Sequence, residues 1–289
     1  PVTPAAAGAE QNTEGLQNAV LDLEFENSLE DSSGKGNNGT LSSGEAEYVD
    51  GVVGKGLKMN GSSYVNLGNS TDLQPENLTL SFWIRPDSDM KGEELLSWNK
   101  NEWYTDGWYL SSENDNTPLT LSVGPAKANG QPYRVSVSGK RSEFLPTGEW
   151  THIAVTYDKD SKEICFYRNG VKCSTVTTYG ISGESTGVLG SDATMEKSIG
   201  YNGPKYKGAY LKASLDEYQL YNDVATPEEV IALYEESGQT FDRKAVAQAD
   251  LDKISIPETT QENLSLPTTG ESGSVISWSS DNEAVVAAD

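Results

Sequence analysis

The 289-residue sequence is poor in several residue types on which whole classes of function depend. It contains one histidine, His152, and two cysteines, so it has no cluster of imidazole and thiolate metal ligands. No run of about 18 apolar residues occurs, and we therefore expect no membrane insertion. Nucleophile-elbow and phosphate-loop motifs are also missing. These absences favour a binding protein over an enzyme.

Basic residues are few as well. The sequence has 44 acidic and 21 basic residues, which gives a formal net charge of -23. The field of such a chain repels nucleic acid and anionic lipid. We therefore expect no nucleic-acid partner, and neutral glycans fit better than polyanionic ones.

The residues that are plentiful indicate an exported β protein. Only 35% of the residues are hydrophobic, but there are 28 glycines, 14 tyrosines and six tryptophans. Many short strands with glycine-rich turns have this composition. Residues 1–18 are small, polar and alanine-rich, which is typical of a disordered leader left after signal-peptide cleavage. We therefore predict a secreted or cell-surface protein.

A strand followed by a capped helix is the clearest local pattern. The segment 213–222 alternates apolar and polar residues and predicts a strand covered on both faces. Thr226 is placed to cap the next helix, Pro227 takes its first position and Glu229 completes a capping box. The pattern predicts one short helix directly after the strand.

This pattern and several others resemble the laminin-G-like jelly rolls of the concanavalin A-like lectin and glucanase superfamily. The other matching segments, in chain order, are Leu21–Phe25, Asp31–Thr40, Gly54–Leu67, Leu78–Pro86, Gly107–Leu110, Gly148–Tyr157 and Phe166–Val171. The resemblance implies an all-β jelly-roll sandwich over residues 19–237 with one short C-terminal helix. It also implies binding of carbohydrate.

A second unit follows a linker at 238–250. The segments 256–270 and 274–286 resemble the start of a bacterial immunoglobulin-like domain, and a complete domain needs roughly 100 residues. Residues 251–289 are therefore predicted to be a partial immunoglobulin-like domain. The resemblance implies a covalently linked catalytic domain beyond residue 289, as in modular secreted bacterial glycoside hydrolases.

The chain itself lacks the catalytic pattern of that superfamily. Its glucanases carry Glu-x-Asp-x-x-Glu on one strand, whereas here Glu113 and Asp115 are followed by Pro118 at the third position. His152 falls within a strand pattern, which predicts a packed histidine. We therefore expect a non-catalytic carbohydrate-binding module. An adhesin or a structural spacer is the alternative, and a glycosidase domain is the weakest one.

Calcium is the expected cofactor, in a structural role. The loop 31–39 offers the oxygen ligands that calcium prefers, from Asp31, Asn37 and Asn38. In jelly rolls of this kind the first and last strands are neighbours, so the resemblance brings Asp216 toward the loop as a further ligand. The alternative is that Asp31 caps the backbone of its own loop.

Sugar binding needs exposed aromatic rings beside polar groups. Trp103 and Tyr104 have these surroundings, with Asn101 and Asp106 close in sequence. Further candidates are Tyr201 with Tyr206, and Tyr133. The alternative is that these rings pack loops onto the sandwich. Trp83, Trp108 and Trp150 follow strand patterns and are predicted to lie in the core.

The two cysteines flank the turn at Asn169 and Gly170. A three-residue turn places Cys165 opposite Cys173 and predicts a disulfide. The oxidising environment of an exported protein favours such a bond. A two-residue Asn-Gly turn shifts the register by one residue and separates the thiols. The sequence leaves both turns open.

Overall fold

The structure, a computed structural model, describes residues 16–17, 19–87, 94–100, 107–124, 133–173, 176–179, 196–201, 210–256 and 265–279. The strands in these ranges are β1 (Ala19–Leu23), β2 (Thr40–Leu41), β3 (Glu47–Asp50), β4 (Lys55–Asn60), β5 (Val65–Asn66), β6 (Leu78–Pro86), β7 (Glu94–Lys100), β8 (Gly107–Ser112), β9 (Leu119–Val123), β10 (Tyr133–Val137), β11 (Thr151–Tyr157), β12 (Ile164–Arg168), β13 (Val171–Lys172), β14 (Val176–Tyr179), β15 (Ser198–Ile199) and β16 (Lys212–Tyr221). The helices are α1 (Arg141–Phe144), α2 (Pro227–Glu236) and α3 (Arg243–Asp252), and a 3-10 turn covers Thr71–Leu73.

The strands form two antiparallel sheets with one hydrophobic core. Sheet A has the order β13-β12-β11-β6-β16-β4-β3, with β1 also paired to β16, and sheet B has the order β14-β10-β9-β8-β7-β15-β5-β2. Alternate residues of each strand enter the core, such as Leu80 and Phe82 of sheet A and Leu119 and Leu121 of sheet B. The predicted all-β sandwich is confirmed.

The strand β16 is central in sheet A and is buried on both faces, as predicted. Leu215 enters the core, while Ser214 and Asp216 on the opposite face are also fully buried. The register with β6 shifts between Asp216 and Gln219, and at this bulge Glu217 has a positive φ of 47°. A bulge of this kind redirects side chains locally. The neighbouring acidic residues Asp216 and Glu217 therefore lie at an irregular point of the sheet.

The helix α2 begins where the sequence predicts. Thr226 Oγ1 accepts a hydrogen bond from the Glu229 amide at 3.3 Å, and Glu229 Oε2 accepts one from the Thr226 amide at 2.7 Å. Both halves of the capping box are therefore present. The box satisfies amide groups that the first helical turn leaves without partners.

Helix α2 covers the outer face of sheet A. Its Tyr234 stacks on Trp83 with ring centroids 5.5 Å apart, and His152 lies beside them. His152 is 1% exposed and its Nε2 is 2.9 Å from Ser81 Oγ, which confirms a packed histidine. Burial lowers the pKa of His152 to about 3.

Of the three tryptophans predicted in the core, Trp83 and Trp108 are buried. The prediction was wrong for Trp150, which is half-buried on the outer side of sheet A. It directly precedes β11, and the Arg85 guanidinium covers its ring at 4.8 Å from the centroid. Trp150 is therefore covered on one side by an arginine, whereas helix α2 covers Trp83 on the same outer face of sheet A.

The structure contradicts the predicted disulfide. Tyr167 pairs with Lys172 across a two-residue turn in which Asn169 and Gly170 both have positive φ. Cys165 therefore shares the outer face with Tyr167, whereas Cys173 packs against the main core, and both thiols are free. Adjacent strand positions point to opposite faces, so a one-residue change of register separates the sulfur atoms.

A helix spans the predicted boundary at residue 251. Helix α3 occupies much of the predicted linker 238–250, and its Asp250 is 1% exposed. Asp250 accepts hydrogen bonds from the amides of Ser272 and Ser274 at 3.0 and 3.3 Å. These bonds tie α3 to the turn at 270–274, where Thr269 and Val275 form an isolated bridge.

Candidate functional site

One face of sheet B is polar, and the core covers the other. On β9 the leucines face the core, so Thr120 and Ser122 point the other way. Register and alternation place further polar residues on this face, which we call the polar face: Asn66, Tyr109, Ser111, Thr120, Ser122, Arg134, Ser136 and Ser198.

Hydrogen bonds connect parts of the polar face. Thr120 Oγ1 and Ser136 Oγ are 2.7 Å apart, and Arg134 forms an ion pair with Glu113. The hydroxyls of Ser111 and Ser122 are buried and have no hydrogen-bond partner among the described residues. The face therefore contains hydroxyl, amide and guanidinium groups, and most of its residues are buried. Glu113, the first residue of the incomplete glucanase pattern, forms an ion pair in the structure.

Three half-buried tyrosines meet beside β5 and β15, near the β2 edge of sheet B. The Tyr201 ring stacks on Tyr64 and on Tyr210, with centroid distances of 4.9 and 4.6 Å. The interplanar angles are 17° and 11°. Tyr64 precedes buried Val65 and so projects on the same side as Asn66 of the polar face. We call these three residues the tyrosine cluster.

Only Tyr201 of this cluster is among the sequence-predicted sugar contacts. Tyr64 and Tyr210 were missed, although Tyr-Val-Asn-Leu at 64–67 alternates and points Tyr64 away from the core. The signal for Tyr210 is weaker, because only its following residue, Leu211, is buried. The β5–β15 pairing brings Tyr64 to Tyr201, and the Leu211 amide, which donates to the Gly200 carbonyl, holds Tyr210 beside Tyr201.

The other predicted sugar contacts are not part of the cluster. Tyr133 is opposite Val123, at the end of sheet B where Lys100 pairs with Gly107, and it packs against the core. Tyr201 follows β15, which runs antiparallel to β7, and so lies toward the opposite strand ends. The structure therefore separates Tyr133 from Tyr201. Trp103, Tyr104, Asn101, Asp106 and Tyr206 lie outside the described residues.

The loop proposed for calcium is held by hydrogen bonds to Asp31. Its carboxylate accepts from the amides of Asp22, Ser33 and Asn37 at 2.9, 3.0 and 2.8 Å, and from Ser33 Oγ at 2.9 Å. Burial opposes ionisation of Asp31, but these bonds outweigh it and hold its pKa below the usual value. Both carboxylate oxygens of Asp31 therefore accept hydrogen bonds from its own loop and from β1.

The other predicted calcium ligands form hydrogen bonds with different parts of the backbone. Asn38 Oδ1 accepts from the Asp31 amide, and Asn37 Nδ2 donates to the Val20 carbonyl. Asp216 Oδ2 accepts from the amides of Val52 and Val53 at 2.7 and 3.0 Å, in a different turn. A shared calcium site of Asp31, Asn37, Asn38 and Asp216 stays a prediction. In the described ranges no group of three or more acidic, imidazole or thiol side chains is arranged to hold a metal.

Five carboxylates lie close together where β1 meets β16. Burial, followed by the charges of Asp216 and Asp22, raises the pKa of Glu217 to about 8. Burial also raises the pKa of both Asp22 and Asp216 to about 6. Glu24 and Glu26 contribute further negative charge to Glu217. No cation among the described residues forms an ion pair with any of these five, and the amides of Val52, Val53 and Glu217 donate to Asp216.

The paired sheets, the polar face and the tyrosine cluster define a lectin-like β-sandwich. The sequence profile described as the concanavalin A-like lectin/glucanases superfamily matches residues 59–231, more than half of the chain. The chain belongs to this superfamily. A second profile, the atrophied bacterial Ig domain, matches residues 244–289 and so includes all but the first residue of α3.

Solved structures share the fold at low sequence identity. The binding domain of Paraclostridial Mosquitocidal Protein 1 is 23% identical, with a TM-score of 0.58 over 76% of this chain and 52% of that one. Domain 4 of AbnA, a GH43 extracellular arabinanase from Geobacillus stearothermophilus solved with arabinotriose, is 22% identical, with a TM-score of 0.52 over 75% of this chain and 100% of that one. Botulinum neurotoxin type C, whose cell entry depends on two ganglioside molecules, is 16% identical, with a TM-score of 0.57 over 76% of this chain and 51% of that one.

The chain spans about half the length of the toxin structures that it matches. The search of curated proteins gave no match. Within the described ranges, no helix has the length and apolar character needed to cross a membrane.

Proposed function

We propose that the chain is a non-catalytic carbohydrate-binding module of a larger secreted or cell-surface bacterial glycoside hydrolase. It would hold the enzyme near a polysaccharide or host glycan and raise the local substrate concentration. The observation that carries this proposal is the tyrosine cluster, in which three half-buried rings adjoin a polar face whose half-buried members are Asn66 and Arg134. Sugars bind such sites by stacking on rings while their hydroxyls meet polar groups.

The comparisons support the class of ligand and the modular context. The AbnA domain was solved with arabinotriose and belongs to an extracellular arabinanase, and this chain covers all of that domain. The neurotoxin comparison adds a protein whose cell entry involves gangliosides. Both are similar in fold alone, so the sugar that this chain binds is left to experiment.

The test begins with a glycan array that includes arabinan oligosaccharides and ganglioside glycans. The best glycan is then titrated against the wild type, Tyr201→Ala and Tyr201→Phe. We expect Tyr201→Ala to weaken binding about ten-fold, and Tyr201→Phe, which keeps the ring, to change it little. Melting curves establish that each variant is folded.

Tyr133→Ala is the matched control, because Tyr133 is another half-buried tyrosine of sheet B at the opposite strand end. Unchanged affinity in Tyr201→Ala with a loss in Tyr133→Ala would place the site at that other end. An array without binding would instead favour an adhesin for a protein partner or a spacer.

A further inference from the structure

A second surface on the opposite sheet combines a tryptophan with unpaired cations. Ser214 of β16 is the register partner of Lys58 on β4 and of Arg85 on β6. Trp150 lies beside Arg85, and Lys212 projects on the same face as Ser214, two positions away. We call Arg85, Trp150, Lys58, Ser214 and Lys212 the Arg85 patch.

Arg85 is stacked and forms no ion pair among the described residues; its charge also acts on Asp50, which is paired with Lys55. Its guanidinium carbon is 4.8 Å from the centroid of the Trp150 ring. Among the described residues it forms neither a hydrogen bond nor an ion pair, whereas Arg134 pairs with Glu113 and Arg243 pairs with Glu235. Stacking on the indole orients the guanidinium and leaves its N–H edge available.

A buried hydroxyl lies between the cations. Ser214 is fully buried, and its Oγ has no hydrogen-bond partner among the described residues. A buried donor without an acceptor costs free energy. An oxygen atom bound between Lys58 and Arg85 would supply that acceptor after a small movement of Lys58, whose side chain is 30% exposed.

The local charge balance differs from that of the whole chain. Lys58 pairs with Asp87 at 2.9 Å and Lys55 with Asp50 at 2.8 Å, so these lysines are neutralised. Arg85 and exposed Lys212 are left without ion pairs. The net charge of -23 acts mainly beyond the screening length, which is about 8 Å at physiological salt. Asp216 borders the patch on the same face, two positions from Ser214, and its carboxylate accepts hydrogen bonds from the Val52 and Val53 amides. A bound carboxylate must therefore outweigh this local repulsion through its pairing with Arg85.

We propose that the Arg85 patch binds the carboxylate of an acidic sugar, a uronic or sialic acid. The guanidinium edge of Arg85 matches a carboxylate in a bidentate pair, which a lysine does not reproduce. Lys212 adds positive charge, and the exposed part of Trp150 offers apolar area to the sugar ring. This site is independent of the proposed function, because it lies on sheet A and the tyrosine cluster on sheet B.

The experiment uses the intact chain labelled with ¹⁵N and sodium D-glucuronate as the probe. The sequence has only five arginines, so their Nε–Hε signals are few and can be assigned by substitution. D-Glucose tests for the sugar without the charge, and sodium acetate tests for the charge without the sugar. We expect a saturable shift of the Arg85 signal, with a Kd for glucuronate at least ten-fold below those for acetate and glucose.

Variants then test the assigned roles, with the Trp150 indole and Ser214 amide signals as the readout. We expect Arg85→Lys to raise the Kd for glucuronate at least ten-fold and Lys212→Gln, at an exposed position, to raise it two- to five-fold. Arg243→Lys is the matched control, since Arg243 also lies over a ring but is already paired with Glu235. Equal binding of acetate and glucuronate, or an Arg85→Lys variant that binds as the wild type does, would overturn the proposal.

Discussion

Glu217 should control how the stability of this protein changes with pH. It occupies the bulge of β16, beside Asp216 and close to Asp22. Burial and the charges of these two neighbours raise its pKa from 4.5 to about 8. A carboxyl group with a higher pKa in the folded state holds its proton more tightly there than in the unfolded chain. The folded state therefore loses stability as the pH rises from 4.5 to about 8.

Replacing Glu217 by glutamine removes this loss. One pKa unit corresponds to ~1.4 kcal/mol, so the shift from 4.5 to about 8 sets an upper limit of roughly 5 kcal/mol. Glu217 is partly exposed and its titration is coupled to that of Asp216, which reduces the effect. We expect Glu217→Gln to stabilise the fold by about 1–2 kcal/mol at about pH 9 and to have little effect at about pH 5.

Urea unfolding of the wild type and the variant at these two pH values measures the difference. Glu45→Gln is the matched control, because Glu45 is an exposed glutamate outside the cluster. Its free energy of unfolding should differ from that of the wild type by less than about 0.5 kcal/mol at both pH values. If Glu217→Gln destabilises the protein equally at both pH values, the side chain acts through packing or hydrogen bonding and the electrostatic reasoning fails.

Three other outcomes are expected. Asp31→Ala should destabilise the fold by about 2–3 kcal/mol with or without calcium, because four hydrogen bonds to one carboxylate are lost. A loss of stability seen only with calcium would contradict this explanation. Thiol labelling of the denatured, unreduced protein should modify both Cys165 and Cys173, and an intact mass lower by two hydrogens would instead show a disulfide. Calcium binding is still a prediction: a metal held only by the folded state must raise the melting temperature relative to chelator, and identical curves would reject it.

Local patterns in the sequence determined much of the fold. Alternation predicted the strands, and Thr226, Pro227 and Glu229 predicted the start of α2, because these signals act over a few residues. The single strand-embedded histidine was correctly predicted to be packed. The motif order carried the family assignment, and the composition agreed with an all-β protein.

Tertiary structure decided the features that depend on register and on strand order. The choice between two turns at Asn169 moved Cys165 to the face opposite Cys173, and no local signal distinguished those turns. Backbone amides from different segments donate to Asp31 and to Asp216, which the sequence did not indicate, and their shared calcium site stays a prediction. Tyr64 and Tyr201 meet only because β5 pairs with β15, and such pairing depends on contacts summed over both sheets rather than on neighbouring residues.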